Sequence, residues 1–228
     1  MKSVPPDAIR DVLQLSIAAG SADALAFLTL GHVFTCNMTG NVVLLGIGLG
    51  QGHLADAAWS LYVLVIFMLG VAFGARLSRH IADEDWPRLA ARLLGLEKIM
   101  LLLFAMGWSF APHDKEPWTC LLVALLAFAM ALQSVAWTRL RAPGVGTTAI
   151  TSTIVAFATE LINLALPSAG ETSGARVGFH AGVVALYCLG GAVSGLLILD
   201  LPWLAGWVPI AAAAWVWTWP RKNLSPRT

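Results

Sequence analysis

The sequence predicts an all-α integral membrane protein with six transmembrane helices, built as a 3+3 inverted repeat in which each half carries one re-entrant half-helix. Three observations predict this class: an apolar composition, six long apolar runs, and a motif that recurs half a chain later. Of the 228 residues, 58% are hydrophobic and 12% are charged, whereas soluble domains carry about 25% charged residues. The formal net charge of +1 leaves no basic excess for nucleic acid. The lipid bilayer is therefore the predicted partner.

Six apolar runs are long enough to cross a bilayer core, which needs roughly 20 helical residues at about 1.5 Å each. Lipid offers the backbone no hydrogen bonds, so each run is predicted to be a helix. The runs cover residues 12–30, 57–77, 93–111, 118–138, 177–199 and 202–219. Two further apolar stretches are ambiguous, because 39–50 is too short to cross and 151–166 is borderline and contains Glu160.

The distribution of Lys and Arg discriminates between numbers of spans, because cytoplasmic loops collect these residues. If both ambiguous stretches enter and leave on the same side, with both termini cytoplasmic, 13 of the 14 basic residues are cytoplasmic and only Lys115 is outside. Eight spans divide the same residues 7 to 7, and seven spans, with only 151–166 crossing, divide them 9 to 5. Six spans are therefore predicted, and seven are the alternative.

A motif recurs after 112 residues: residues 35–43 read TCNMTGNVV and residues 147–155 read TTAITSTIV. Each copy follows one span and precedes two, and a glycine pair recurs in the next helix, first as Gly70/Gly74 and then as Gly191/Gly195. Three spans per repeat is an odd number. The second half, 115–228, is therefore predicted to be inverted relative to the first, 1–114, as in many transporters, and the two halves are predicted to form one membrane domain.

Each motif begins a predicted half-helix, 39–50 or 151–166, with its N-terminus at the bilayer midplane. Two such N-termini facing each other would each present about half a positive charge, which suits an anion or the acceptor groups of a polar solute. The alternative is that the hydroxyl groups satisfy only their own backbone. The predicted substrate-binding residues are polar or glycine residues of the tips and of neighbouring spans, namely Asp23, Thr35, Asn37, Thr39, Gly40, Asn41, Gln133, Thr147, Thr148 and Thr151.

Asp23 lies about 17 Å into the first span, where a carboxyl group needs pairing, hydration or protonation. Three roles are open: proton coupling, cation binding, or hydrogen bonding to the 39–41 loop to hold the half-helix in place. The aligned position in the second half is Ser134, next to Gln133. Glu160 is interpreted as a solvated residue at the cytoplasmic end of its half-helix, and His180 as an interfacial histidine.

Enzyme and metal chemistry have no recognisable motif in this sequence. The patterns H-E-x-x-H, G-x-S-x-G and the P-loop are absent, and Cys36 and Cys120 lack the local spacing of metal ligands. Neither enzymatic activity nor a cofactor or metal site is predicted. The glycine pairs, with Gly178/Gly182, permit close helix contacts within the chain or between the protomers of a homo-oligomer.

Residues 27–34, which read FLTLGHVF, and residues 38–46, which read MTGNVVLLG, resemble the signature of the YoaK-type family of bacterial inner-membrane proteins. The resemblance covers essentially the whole chain, although Ser134 and Ser152 stand where the family more often has Asn and Gly. It implies a multipass protein of the bacterial cytoplasmic membrane with no settled substrate.

The predicted function is a secondary transporter or channel for a small polar or anionic solute, bound at the midplane between the two half-helix N-termini. The alternative is a non-transporting membrane subunit or sensor whose intramembrane polar residues are structural.

Overall fold

The computed structural model describes residues 6–82, 86–110, 116–138, 150–166, 174–214 and 216. Helices and short connections make up all of this part of the chain. The helices are Pro6–Thr29 (α1), Met38–Gln51 (α2), Leu54–Ser78 (α3), Trp86–Phe110 (α4), Glu116–Thr138 (α5), Ile150–Ala165 (α6), Gly174–Asp200 (α7), Pro202–Ala205 (α8) and Val208–Ala214 (α9).

Within the described ranges, four helices are long and apolar enough to cross a membrane: α1, α3, α5 and α7. The helix α4 has a comparable length of 25 residues but includes Glu97 and Lys98. The shorter apolar helices are α2, α6 and the segment 202–214. The predicted spans 93–111 and 202–219 fall on α4 and on α8 with α9, and residues 111, 215 and 217–219 lie outside the described residues. The chain is a multipass membrane protein.

The helices at the centre of the fold differ from those at its flanks in how much of their surface is buried. In α1 and α5 61% of the apolar segment is buried, against 28% in α3 and 17% in α7. Large, fully buried side chains of the core come from α1, α4 and α5, among them Leu15, Leu25, Leu93, Phe104, Leu122 and Met130. The apolar side chains that α3 and α7 turn outward are suited to lipid.

The helices α1 and α7 run parallel and approach each other closely. Leu13 lies beside Gly182 and Leu28 beside Gly195, so residue numbers rise together along the pair. A Cβ atom on Gly20 would overlap the backbone carbonyl of Tyr187. The small residues of this face therefore allow backbone contact between the two helices, as small-xxx-small spacing predicts.

The helices α3 and α5 also run parallel, because Gly70 lies beside Ala131 and Gly74 beside Val135. The glycine pair that recurs in the sequence thus packs against a neighbouring helix of the same chain. Between α4 and α5 the direction is opposite, since these consecutive helices pack along each other with Gly107 against the side chain of Leu122.

The C-terminal end of α4 meets the segment that follows α7. The indole Nε1 of Trp108 donates a hydrogen bond to the carbonyl of Pro202 at 2.7 Å, and the indole of Trp207 donates to Ser109 at 2.9 Å. Therefore α4 ends on the same side as α7. The helices α1, α4 and α7 run in one direction, and α3 and α5 run in the other.

Candidate functional site

The carboxylate of Asp23 lies in the interior and holds the loop that follows α1. Its Oδ1 atom accepts hydrogen bonds from the backbone N–H groups of Thr35 at 2.6 Å and Cys36 at 2.7 Å, and from the Thr35 hydroxyl at 3.3 Å. Its Oδ2 atom accepts a hydrogen bond from the hydroxyl of Tyr187 in α7. Asp23 is 5% exposed and Thr35 is fully buried. These bonds connect α1, the loop and α7 through one side chain.

Asn41 holds the same loop from its other end. Its Oδ1 atom accepts a hydrogen bond from the N–H group of Phe34 at 2.9 Å, and its Nδ2 atom donates to the Phe34 carbonyl at 2.6 Å. Asn41 is fully buried in the first turn of α2. The N–H and carbonyl groups of Phe34 lie in an irregular loop and have no partner in a helix or sheet, so the side-chain amide of Asn41 supplies their hydrogen bonds.

Asn37, Thr39 and Gly40 form the outer side of the α2 tip. The Oδ1 atom of Asn37 caps the helix, accepting hydrogen bonds from the Gly40 N–H group at 3.3 Å and the Thr39 hydroxyl at 2.8 Å. Both Asn37 and Thr39 are exposed. A Cβ atom on Gly40 would lie 2.8 Å from the ring of Phe34, so the close approach predicted for this glycine is made to that ring.

The loop before α2 runs back along α1. The helix α1 ends at Thr29, and Gly31 and His32 reverse the chain with φ angles of 99° and 57°. The thiol of Cys36 lies 3.5 Å from the carbonyl oxygen of Ala19. Ala19 precedes the end of α1 by ten residues, or about 15 Å. The N-terminus of α2 is therefore beside the middle of α1.

From this position α2 returns along α3. Its residue Gly48 lies against the backbone of Ala57, in the first turn of α3. The helix α2 has 14 residues and α3 has 25. Consequently α2 packs along only about the first half of α3.

In the second half, α6 repeats part of this pattern. Thr153, which the motif aligns with Asn41, is fully buried, whereas Thr151 is exposed. Thr147 and Thr148 lie outside the described residues. The helix α2 packs mainly on α3, and α6 mainly on α7; the two are not packed extensively against each other. The structure thus brings Asp23, Thr35 and Asn41 together, and Thr151 belongs to a separate helix tip.

Gln133 is fully buried in α5 and donates a hydrogen bond to the carbonyl of Leu15 at 3.3 Å. Leu15 precedes Asp23 by eight residues of α1, or about 12 Å. Gln133 is therefore part of the polar interior but lies about two turns from the Asp23 cluster.

Sequence reasoning missed three interior residues. The hydroxyl of Tyr187 donates a hydrogen bond to the Asp23 carboxylate, and Glu97 is fully buried in α4. Lys98, which the charge distribution placed with the cytoplasmic residues, is 9% exposed and follows Glu97 within α4. The available signal was the presence of charged residues inside the apolar run 93–111, and of one phenol hydroxyl inside 177–199.

Glu160 and His180 form a pair between α6 and α7. The Nδ1 atom of His180 lies 3.0 Å from Oε2 of Glu160, and the Nε atom of Arg176 lies 3.8 Å from Oε1. The side chain of His180 is 3% exposed and that of Glu160 is 17% exposed. Glu160, which the sequence predicted to be solvated, is therefore a paired and mostly buried residue in the structure. No group of three His, Cys, Asp or Glu side chains suited to a metal ion occurs in the part of the chain that the structure describes.

Comparison with known proteins gives two matches. The family described as "Protein of unknown function (DUF1275)" matches residues 12–219. The chain is 30% identical over 200 residues to the UPF0700 transmembrane protein YoaK of Bacillus subtilis (strain 168), and the match covers 86% of each chain. No solved structure matches this chain.

Proposed function

We propose that this chain, which belongs to the DUF1275 family, is a secondary transporter or channel for a small polar or anionic solute that binds at the N-terminal tips of α2 and α6. One observation carries the proposal: an irregular loop, anchored by Asp23 and Asn41, leads into a helix that begins beside the middle of α1. Irregular backbone at membrane depth is tolerated where it is buried in protein or lines a cavity. Helices that begin at the midplane are typical of transporter binding sites.

The helix directions support a re-entrant role for α2 and α6. Because α1 and α3 run in opposite directions, an even number of crossings must separate them, so α2 does not fit as a full crossing. The same reasoning applies to α6, which connects the oppositely directed α5 and α7. These two relations support the six-span interpretation, in which α4 and the segment 202–214 would be the remaining spans.

The packing of helices supports an inverted repeat that relates α1, α2, α3 and α4 to α5, α6, α7 and α9. Under this relation the pair α1–α7 corresponds to α5–α3, α2–α3 to α6–α7, and α4–α5 to α9–α1; all of these pairs are in contact. Residue contacts agree with this relation: the contact of Gly70 in α3 with Ala131 in α5 corresponds to the contact of Gly191 in α7 with Gly20 in α1. Inverted repeats of this kind are the common architecture of secondary transporters.

The exposed tip has the chemistry to bind an acceptor group. The N-terminus of α2 supplies part of the positive end of a helix dipole, and no acidic side chain stands in its first turn. Thr39 and Asn37 add polar groups that are free of core packing. Thr151 of α6 is the matching residue in our proposal, with Thr147, Thr148 and the buried Gln133 completing the set.

A second candidate function is a non-transporting membrane subunit or sensor. The observation that favours it is the saturation of Asp23, whose oxygen atoms accept hydrogen bonds from two backbone N–H groups and two hydroxyl groups. A carboxylate with this many partners has a sufficient structural role. Under this alternative, Asn37, Thr39 and Gly40 at the tip of α2 cap the helix and bind no solute.

The test is uptake by the full chain reconstituted in liposomes, with labelled chloride, phosphate, monocarboxylates and amino acids as probes. Thr39→Val is expected to lower uptake of the transported solute roughly tenfold or more, because a hydrogen bond to a charged group contributes about 1.5–3 kcal/mol. Thr159→Val is the matched control, since Thr159 is exposed on α6 and bonds to its own helix at Val155. Unchanged uptake in Thr39→Val, or no uptake of any probe by the wild type, would favour the non-transporting alternative.

Cysteine labelling tests the proposed topology, with both termini in the bacterial cytoplasm. In a cysteine-free background, a membrane-impermeant maleimide should label His53→Cys in intact cells. It should label Arg79→Cys and Leu166→Cys only after permeabilisation. Labelling of Leu166→Cys in intact cells would instead support seven spans.

A further inference from the structure

The helix α4 carries a carboxyl group at the centre of the fold. Glu97 is the twelfth residue of α4, about 17 Å from its start, and it is fully buried. Because α4 and α5 are antiparallel with Gly107 against Leu122, continuing that register sets Glu97 level with Leu132 and Gln133. Gln133 bonds to α1 at Leu15, so this level passes through the interior of the bundle.

Neither carboxyl oxygen of Glu97 has a hydrogen-bond partner among the residues that the structure describes. In contrast, Asp23 accepts hydrogen bonds at both oxygens. An ionised carboxylate without donors is disfavoured in a protein interior by several kcal/mol or more. Glu97 is therefore stable at this position only as the neutral acid, or when a cation compensates its charge.

The titratable groups near Glu97 can be named for the part of the chain that the structure describes. Lys98, the next residue in the sequence, interacts electrostatically first with Glu97 and then with Asp11 near the start of α1, so its charge is shared between two carboxyl groups. The thiol of Cys36, in the loop that Asp23 holds, is within electrostatic range of Glu97. The described residues of α8 and α9 contain no titratable side chain. The other titratable groups on the described helices that pack against α4 are Glu116 and Cys120 of α5 and Asp56, Tyr62 and Arg76 of α3.

We propose that Glu97 is a proton-binding site of the membrane interior, whose carboxyl group takes up a proton from one side of the membrane and releases it to the other. Uptake forms one O–H bond on the carboxylate with a proton taken from water, and release breaks that bond. Asp23 remains bonded throughout and holds the loop. The coupling of this proton to solute movement rests on the proposed transport function, whereas proton binding by Glu97 does not.

The position of Glu97 gives its charge an effect on the helix tip. Cys36 is within electrostatic range of Glu97 and stands two residues before the first residue of α2. Protonation removes a negative charge that lies within electrostatic range of this loop. The electrostatic potential at the N-terminus of α2 then becomes more positive, which favours an anionic solute at that tip. An anion and a proton would therefore bind together and cross together.

Infrared difference spectroscopy of the reconstituted protein tests proton binding without any transport assay. A pH jump should produce a carbonyl stretching band of a protonated carboxylic acid in the wild type. The band should be lost in Glu97→Gln and shifted in Glu97→Asp, which keeps a carboxyl group. Glu160→Gln is the matched control and should retain the band, because Glu160 is paired with His180 near the end of α6. A band that persists in Glu97→Gln, or a Glu97 that stays protonated across the whole pH range, overturns the proposal.

Flux measurements then test the coupling. In the wild type, a proton gradient directed into the liposomes should accelerate anion uptake, and Glu97→Gln should abolish that acceleration while retaining exchange of labelled for unlabelled anion. An equal response to the gradient in wild type and Glu97→Gln overturns the coupling. If the wild type moves no solute, the transport function fails, and the infrared band still decides whether Glu97 binds a proton.

Discussion

Replacing Asp23 by Ala is expected to destabilise the fold far more than replacing it by Asn. The Ala variant leaves the buried N–H groups of Thr35 and Cys36 without an acceptor. Each unsatisfied buried donor costs about 1–3 kcal/mol, so the two backbone groups together reduce the free energy of unfolding by about 2–6 kcal/mol. The hydroxyl of Tyr187 loses its acceptor as well.

The Asn variant keeps an oxygen in the place of Oδ1 and can donate its amide N–H to the Tyr187 oxygen. It loses only the charge assistance of these bonds, which are roughly twice as strong with an ionised partner. We expect a loss of about 1–2 kcal/mol. Asp56→Ala is the matched control, because the Asp56 side chain is 76% exposed, and surface substitutions change stability by about 0.5 kcal/mol or less.

The assay is unfolding of the purified protein in mixed micelles by titration with a denaturing detergent, followed by the fluorescence of its 10 tryptophans. The free energies should rank Asp56→Ala, then Asp23→Asn, then Asp23→Ala, from least to most destabilised. Equal stability of the two Asp23 variants would refute the anchoring role. Retained stability together with lost uptake would instead assign Asp23 to the transport cycle.

Three further predictions concern the loop, the helix contacts and the α6–α7 pair, and the same unfolding assay checks them. Asn41→Leu should lose about 2–4 kcal/mol because both backbone groups of Phe34 lose their partners; stability equal to the wild type would contradict the site. Gly20→Ala should lose about 1–3 kcal/mol by overpacking, whereas Gly46→Ala, with no atom within 4 Å of the added Cβ, should gain up to about 1 kcal/mol of helix propensity. Glu160→Gln should lose about 1 kcal/mol, and no change would show that its bond to His180 contributes nothing to stability.

The positions of the short helices could be predicted closely from the sequence. The stretches 39–50 and 151–166 correspond to Met38–Gln51 and Ile150–Ala165. Local signals account for the agreement at α2, because Asn37 is an N-cap residue and Gly52 ends the helix with a φ of 77°. Membership of the YoaK-type family, inferred from the motif that surrounds this helix, is confirmed by the DUF1275 match over residues 12–219 together with the 30% identity to YoaK.

The partners of interior polar residues could not be predicted, because hydropathy finds spans but not which faces meet. Asp23 was recognised from its depth, yet its bond to Tyr187 depends on the parallel contact of α1 with α7. Glu97 was overlooked for a related reason: one carboxyl group is averaged out within the apolar run 93–111. Its burial depends on how α4 packs against α5, which periodicity leaves open.

The two halves of the proposed repeat differ in the carboxyl groups of their interior. In the proposed repeat Asp23 has Ser134 as its counterpart, and Ser134 bonds to its own helix at Met130. In the same proposed repeat α4 corresponds to α9, whose described residues VPIAAAA include no carboxyl group to match Glu97. The carboxyl groups of Asp23 and Glu97 therefore have no counterparts at the matching described positions of the second half, and under our proposal proton binding at Glu97 acts on the α2 tip. If Glu97 acts on the α2 tip, uptake should lose its pH dependence in Glu97→Gln and should keep it in Thr151→Val, and a pH dependence that persists in Glu97→Gln would contradict this assignment.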